Sequence, residues 1–207
     1  MRLTITPSIM AKNQRELDAS LTKLKNVIKT VHLDIVDGKF AKNKVMTFPF
    51  RLKKEFQYIA HLMVKNPEKW IEKNGKKVDI YIPHIEEIKN IGEYITKTRK
   101  LKRKVAFALL PETKVKQIAS YLKKIDYVLI LTVHPGFYGS RYLPSNLRKV
   151  KIIKKINPKT KVIVDGGMNP KRVKKAVTKG VDIIVSGNYV MGSDNVKERL
   201  IKLREKI

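Results

Sequence analysis

The chain has 207 residues, no cysteine and a formal net charge of +28, from 46 Lys and Arg against 18 Asp and Glu. This length is typical of one domain with a substantial core. The lack of cysteine excludes disulfides, thiolate zinc sites and a catalytic thiol. A hydrophobic fraction of 43% is too high for a disordered basic tail.

No apolar run approaches the ~20 residues that cross a bilayer. The start, MRLTITPS, lacks the apolar core of a signal peptide. We therefore expect a cytoplasmic protein without membrane contact.

The basic residues are scattered along the chain and form no single patch. Stretches such as KNQRELDASLTKLKN and RLKKEFQ have the spacing that is typical of solvated helix faces. Zinc-finger spacing, a basic region followed by heptads and an aromatic RNA-binding motif are all absent from the sequence. The pattern favours a lysine-rich globular protein over a nucleic-acid-binding one.

Short apolar runs alternate with amphipathic stretches from one end of the chain to the other. The runs predict strands at 3–8, 31–36, 59–63, 78–83, 105–110, 127–133, 161–164 and 182–186. The stretches between them predict helices at 13–28, 85–100, 114–124, 145–156, 170–179 and 195–206, with weaker helical patterns at 48–56 and 68–73. Eight strand–helix units of about 26 residues predict a single-domain (β/α)8 TIM barrel over residues 1–207, with eight parallel strands and short loops.

A weak internal repeat supports this division. The segments KKVDIYIPH, KKIDYVLILTVHPG and KGVDIIVSG each place an aspartate just before a buried strand, at Asp79, Asp126 and Asp182. Strand starts lie at the N-terminal end of such a barrel, away from the end that carries the chemistry. We therefore interpret these three aspartates as structural.

Ligand-type side chains stand at the other end of three predicted strands. His32 and Asp34 are two residues apart in VHLDIVDG, so they share one face of the strand, toward the barrel interior. The third predicted strand ends in His61-Leu62-Met63, and Asp165 follows the seventh. Two imidazoles and two carboxylates suit zinc, iron, manganese or cobalt, and the sequence does not choose among them. The sequence thus predicts a metal site formed by His32, Asp34, His61 and Asp165.

Two other histidines and one aspartate also follow predicted strands. His84 either supports the metal site or simply begins the next helix. His134 lies in a Pro-Gly turn, where it either has a structural role or lines the site. Asp37 precedes Gly38, a pair that is typical of a turn.

Glycine-rich loops follow the last three predicted strands, with the sequences HPGFYGS, DGGMNP and SGNYVMG. Glycines allow backbone N–H groups to approach an anion closely. Phosphate sites recur at this position in TIM barrels. The three loops together predict a phosphate-binding rim.

The segments PSIM, HLDIVDGKFAKN, HLMVKNPE, TVHPGFYGS, VDGGMNP and VSGNYVMG together resemble the ribulose-phosphate 3-epimerase family over nearly the whole chain. The resemblance implies an isomerase of carbohydrate metabolism and the pentose phosphate pathway. Such an enzyme interconverts D-ribulose 5-phosphate and D-xylulose 5-phosphate through an enediolate. The resemblance also implies one divalent metal ion on the four ligands named above, a phosphorylated ketose as substrate, and a homo-oligomer, either a dimer or a hexamer.

Carried over by position, the family's proton-transferring pair falls on Asp34 and Asp165. Its substrate and phosphate contacts fall on Ser8, His61, Gly136, Phe137, Tyr138, Gly139, Gly166, Gly167, Gly187 and Asn188. Of its three lining methionines only Met63 is kept, because Val36 and Leu131 occupy the other two positions. Tyr138, Tyr189 and His134 also depart from the family pattern.

These departures leave the sugar open, and the alternative substrate is a hexulose phosphate, allulose 6-phosphate. Two further alternatives are a hexulose-phosphate synthase and a non-catalytic basic barrel that binds RNA. Retention of the paired metal histidines argues against the synthase, and retention of all four ligand positions argues against the RNA-binding barrel.

Overall fold

The computed structural model describes residues 3–206, and their strands form one barrel. The strands are β1 (Thr4–Ile9), β2 (Thr30–Asp37), β3 (Lys44–Val45), β4 (Gln57–Met63), β5 (Ile80–Pro83), β6 (Ala106–Leu109), β7 (Tyr127–Leu131), β8 (Lys161–Asp165) and β9 (Ile183–Ser186). Eight of them pair in the parallel order β5-β4-β2-β1-β9-β8-β7-β6. A parallel bridge between His84 and Ala108 joins the two ends of this sheet. The predicted (β/α)8 barrel is confirmed.

Five of the helices are shorter than the sequence predicts, the helix predicted at 68–73 is longer, and a short helix at 188–191 was not predicted. They are α1 (Gln14–Leu24), α2 (Pro67–Asn74), α3 (Ile91–Lys100), α4 (Arg148–Ile156), α5 (Pro170–Val177), α6 (Asn188–Met191) and α7 (Val196–Arg204). Asn13 caps α1, since its side chain accepts the N–H of Glu16 at 2.9 Å. Asn26, with φ of 62°, lies in the left-handed region just beyond the end of α1.

Three elements differ in kind from the prediction. The segment 114–124 forms two 3₁₀ helices, Val115–Gln117 and Ala119–Lys124, and the segment 48–56 contains no helix. Residues 85–100 divide into a 3₁₀ turn, Ile85–Glu87, and α3. The two-residue strand β3 was not predicted; it pairs antiparallel with the end of β2. Apolar spacing alone does not separate a 3₁₀ turn from an α-helix over so few residues.

The three repeated aspartates hold neighbouring strand starts together. A carboxylate oxygen of Asp79 accepts the N–H of Tyr58 at 2.7 Å, and Asp126 accepts the N–H of Val105 at 2.8 Å. Asp182 accepts the N–H of Val162 at 2.7 Å. Each aspartate therefore satisfies a backbone donor of the adjacent strand, and the structural interpretation of the repeat is confirmed.

The barrel interior is apolar on one side and polar on the other. Inward-facing residues of β4 to β9 form an apolar cluster of Ile59, Ile82, Ala106, Ala108, Leu129, Leu131, Ile163 and Val185. Polar side chains from β1, β2 and β4 are buried, namely Thr6, Ser8, His32, Asp34 and His61. On β2, Leu33 and Ile35 pack in the separate cluster that includes the helices, as strand alternation predicts. A buried polar group needs a partner, so this side of the interior is the place to look for a site.

Candidate metal centre and anion-binding rim

Three strands bring the predicted metal ligands together. β2 carries His32 and Asp34, β4 places His61 directly beside Asp34 in the sheet register, and β8 ends at Asp165. One ligand atom from each of the four residues lies within 4.8 Å of the others. The Oδ1 atom of Asp34 is 3.3 Å from Nε2 of His32 and 3.2 Å from Nδ1 of His61. The Oδ2 atom of Asp165 is 3.7 Å and 3.5 Å from the same two nitrogens.

The donor set fits a divalent cation. Both imidazoles are fully buried, and the two carboxylates are 5% and 9% exposed. Although Nε2 of His32 lies 3.3 Å from Asp34, neither ring nitrogen of His32 is aligned for a hydrogen bond with any described residue. A buried nitrogen without a partner is costly in free energy, and a cation bound to Nε2 would remove part of that cost. Two imidazoles and two carboxylates are the ligands that zinc and related metals take in proteins.

Burial and charge act in opposite directions on the ionisation of the cluster. Burial alone would raise the pKa of Asp34, but the neighbouring imidazoles of His32 and His61 lower this pKa well below its ordinary value. Burial alone would lower the pKa of His61, but the carboxylates of Asp165 and Asp34 raise it to about 9. The structure therefore keeps Asp34 ionised at neutral pH, as a cation ligand must be.

His84 supports the cluster, and it also begins the 3₁₀ turn that follows β5. Its Nε2 atom is 2.9 Å from Nε2 of His61, and its Nδ1 atom is 3.3 Å from Oε2 of Glu86. Burial lowers the pKa of His84 to about 4. The structure thus places His84 both against His61 and at the start of a turn, and its role toward a metal ion stays a prediction.

A cavity of about 510 Å³ opens above the metal cluster. Its lining includes almost all of the predicted site residues, namely Ser8, Asp34, His61, Met63, His134, Gly136, Phe137, Tyr138, Gly139, Asp165, Gly166, Gly167, Gly187 and Asn188. His32 and Val36 are fully buried and do not line the cavity. Val36 packs against Val45 and Met63. The imidazole of His134 is exposed at the rim, with its Nδ1 atom 3.5 Å from Glu112.

Close contacts require glycine at two positions of this rim. Gly166 has φ of +112°, and a Cβ there would lie 2.6 Å from Cγ2 of Val133. A Cβ on Gly187 would lie 2.5 Å from the ring of Tyr138 and 2.6 Å from Oγ of Ser8. Tyr138 also donates its hydroxyl to the carbonyl oxygen of Ser8 at 2.8 Å. The loop after β7 is thus tied across the mouth of the cavity to β1.

Tyr142 and Arg172 are among the lining residues of this cavity that the sequence did not single out. The guanidinium of Arg172 lies 4.3 Å above the ring of Tyr142, and its Nη1 atom donates to the carbonyl oxygen of Gly167 at 2.6 Å. Arg172 lies in the first turn of α5, two residues after the DGGMNP loop. This closeness to the loop in sequence is the signal that could have identified it. Its positive charge therefore lies at the glycine-rich rim of the cavity.

The fold is that of a TIM barrel, and its C-terminal end carries a His/Asp group with the ligand types of a metal site beside glycine-rich loops. A family model described as the Ribulose-phosphate 3 epimerase family matches residues 4–191, and the chain belongs to this family. It is a family of isomerases that act on carbohydrates, as the resemblance implied.

Relatives with the same name cover most of the chain. The ribulose-phosphate 3-epimerase of Schizosaccharomyces pombe is 30% identical over 213 residues, covering 98% of this chain and 93% of the relative. That of Methanocaldococcus jannaschii is 32% identical over 182 residues, with coverages of 84% and 77%.

Solved structures with low sequence identity support the fold alone. KGPDC from Streptococcus mutans has a TM-score of 0.69 at 13% identity and covers 100% of this chain and 97% of that chain. A 3-hexulose-6-phosphate synthase has a TM-score of 0.66 at 14% identity, with complete coverage of both chains. Among the described residues, no helix combines the length and the apolar character that a membrane span requires.

Proposed function

We propose that the protein is a metal-dependent 3-epimerase that interconverts D-ribulose 5-phosphate and D-xylulose 5-phosphate. The observation that carries the proposal is the convergence of two carboxylates and two imidazoles beneath a cavity with a glycine-rich rim. Membership of the ribulose-phosphate 3-epimerase family supports it. The proposal assigns His32, Asp34, His61 and Asp165 to one divalent cation, which can be zinc, iron, manganese or cobalt.

Asp34 and Asp165 carry the proposed proton transfers. Epimerisation beside a ketone removes a proton from one face of a carbon and returns a proton to the other face. Asp34 comes from β2 and Asp165 from β8, and β1 and β9 lie between these strands in the barrel. Both carboxylates line the cavity, so each can reach a sugar bound there from its own side. One then acts as base and the other as acid.

A divalent cation on these ligands supplies Lewis-acid stabilisation of the negative charge that develops on the substrate oxygens. The protein's own contribution is to hold both carboxylates at the floor of the cavity and to limit their contact with water, since they are only 5% and 9% exposed. The backbone N–H groups of Gly166, Gly167 and Gly187 are proposed to bind the phosphate, with Arg172 adding positive charge at the same rim.

A deuterium-exchange experiment tests this function. Ribulose 5-phosphate is added in D₂O to the metal-loaded protein, and NMR follows deuterium at C3 together with the appearance of xylulose 5-phosphate. Asp34→Asn and Asp165→Asn are each expected to lower turnover by about 10²- to 10⁴-fold without unfolding the barrel. Asp194→Asn, at an exposed position, is the control for loss of one carboxylate.

The same assay can reject the proposal. Near-wild-type turnover in either site variant with metal bound would show that the two-carboxylate assignment is wrong. Absence of both exchange and conversion in the wild-type protein would contradict the epimerase function. A steep salt dependence of polynucleotide binding, together with no metal and no epimerisation, would favour the RNA-binding barrel instead.

Allulose 6-phosphate remains the second candidate substrate because of the residues at two lining positions. Leu131 lines the cavity where the family has a methionine, and Val36, at the other position, packs against Met63 below the surface of the cavity. The ratio of kcat/KM values for the two sugars decides between the substrates. The dimeric or hexameric assembly and the cytoplasmic location stay predictions, to be tested by light scattering and by fractionation of cells.

A further inference from the structure

A chain of side-chain contacts leads from His61 away from the metal cluster. The Nε2 atom of His61 meets Nε2 of His84 at 2.9 Å, and Nδ1 of His84 meets Oε2 of Glu86 at 3.3 Å. The other carboxylate oxygen of Glu86 accepts the backbone N–H of Leu110 at 2.9 Å and the hydroxyl of Thr113. His61 and His84 are fully buried, so the contact between them is shielded from water, whereas the side chain of Glu86 is partly exposed.

The position of His84 is set by the main chain and by packing. It forms the bridge to Ala108 that joins β5 to β6. The ring of Phe40 packs on the imidazole of His84, with 4.5 Å between the ring centroids. Little freedom is left to the imidazole, so its hydrogen bonds are determined by the partners that already surround it.

The chemistry of these partners determines where each proton lies. The N–H of Leu110 can only donate, so it must face an acceptor oxygen of Glu86. An ionised carboxylate only accepts, so Nδ1 of a neutral His84 carries the proton toward Glu86 and its Nε2 atom is left as an acceptor. Two imidazole nitrogens 2.9 Å apart share one proton, which then belongs to Nε2 of His61.

We propose that Glu86 and His84 are positioning residues that, in the metal-loaded protein, hold His61 in the tautomer with its proton on Nε2, so that the Nδ1 lone pair faces Asp34 and Asp165 for metal binding. The inference rests on the proposed metal site. It goes beyond the four ligands because it assigns a role to two residues that do not touch the cation. Partners of this kind change metal affinity by about 10- to 100-fold when they are removed.

Glu86→Gln is the most informative variant because it keeps the size of the side chain. Leu110 N–H will hold the amide oxygen, so the amide NH₂ group must face Nδ1 of His84. Nδ1 of His84 must then accept a hydrogen bond from the amide, so the proton of His84 moves to its Nε2 atom. This proton faces the proton on Nε2 of His61, and the two repel each other. We expect Zn²⁺ affinity, measured by competition with a chelator, to fall about 10- to 100-fold.

Glu87→Gln is the matched control. It makes the same change of charge at the next residue, where Oε1 of Glu87 pairs with Lys65 at 2.8 Å and takes no part in the chain of contacts. We expect its Zn²⁺ affinity to equal that of the wild type. Equal affinities for Glu86→Gln and Glu87→Gln would overturn the proposal.

A measurement on the wild type tests the proton position without any substitution. In the Zn²⁺-loaded, ¹⁵N-labelled protein, NMR should show the proton on Nε2 of His61 and a nitrogen–nitrogen coupling across the hydrogen bond to His84. A proton on Nε2 of His84 would overturn the proposal, even if Glu86→Gln failed to fold. Both measurements omit the sugar, so a failure of the proposed epimerase activity would be seen separately.

Discussion

Tyr138 ties the loop after β7 to β1, and its hydroxyl is the part of this contact that can be removed alone. The hydroxyl donates to the carbonyl oxygen of Ser8 at 2.8 Å, while the ring packs against Gly187. Burial raises the pKa of Tyr138 well above its ordinary value, so the hydroxyl keeps its proton at neutral pH. Tyr138→Phe should remove this one hydrogen bond and leave the ring in place.

The size of the effect follows from the nature of the bond. A hydrogen bond between neutral groups contributes about 0.5–1.5 kcal/mol to the structure that contains it. If this bond breaks whenever the loop opens, its loss raises the opening equilibrium constant by roughly 2- to 12-fold, with RT near 0.59 kcal/mol. The tie between Asn43 and the carbonyl oxygen of Gly136, at 2.7 Å, remains and keeps the loop from detaching completely.

Amide hydrogen exchange of residues 136–140, measured by mass spectrometry, reports this opening directly. The matched control is Tyr142→Phe, because Tyr142 lines the same cavity and its hydroxyl has no hydrogen-bond partner among residues 3–206. Its ring contact with Arg172 survives the substitution. We expect faster exchange of the loop in Tyr138→Phe only. Equal exchange rates in the two variants would refute the role of this hydrogen bond.

Two further substitutions separate the structural end of the barrel from the site. Asp182→Ala leaves the N–H of Val162 without its acceptor. Denaturant unfolding should therefore show that the free energy of unfolding falls by about 1–3 kcal/mol, while kcat per folded molecule stays unchanged. A change in kcat without a change in stability would contradict this. Gly187→Ala places a Cβ 2.5 Å from the ring of Tyr138 and 2.6 Å from Oγ of Ser8. The KM for the sugar phosphate should therefore rise more than in Tyr138→Phe. An unchanged KM would show that this contact does not shape the site.

Much of the candidate site could be predicted because its residues lie on strands. Strand alternation with a period of two turns His32 and Asp34 to the same face. The C-terminal ends of parallel strands meet at one end of a barrel, so residues distant in the chain, such as His61 and Asp165, were expected beside them. The structure brings these four together, and their roles as ligands and bases remain the proposals made above.

The loops were less predictable, because their conformations depend on contacts between segments far apart in the chain. The hydroxyl of Tyr138 reaches Ser8 across 130 positions of sequence, and no local pattern encodes that approach. The segment 114–124 has the apolar spacing of a helix, yet it packs as two short 3₁₀ helices.

The sequence by itself determined the barrel, the structural aspartates and the inward face of β2. The reason is that the repeat of apolar residues in a strand or a helix is local, so it can be recognised from the order of apolar and polar residues. Only the tertiary structure decided that His84 meets His61, that Glu86 reaches the N–H of Leu110, and that Tyr138 lies against Gly187. These contacts join groups from different units of the barrel, and a displacement of a few tenths of an ångström would change them. Such distances are set by packing of the whole chain rather than by any one segment.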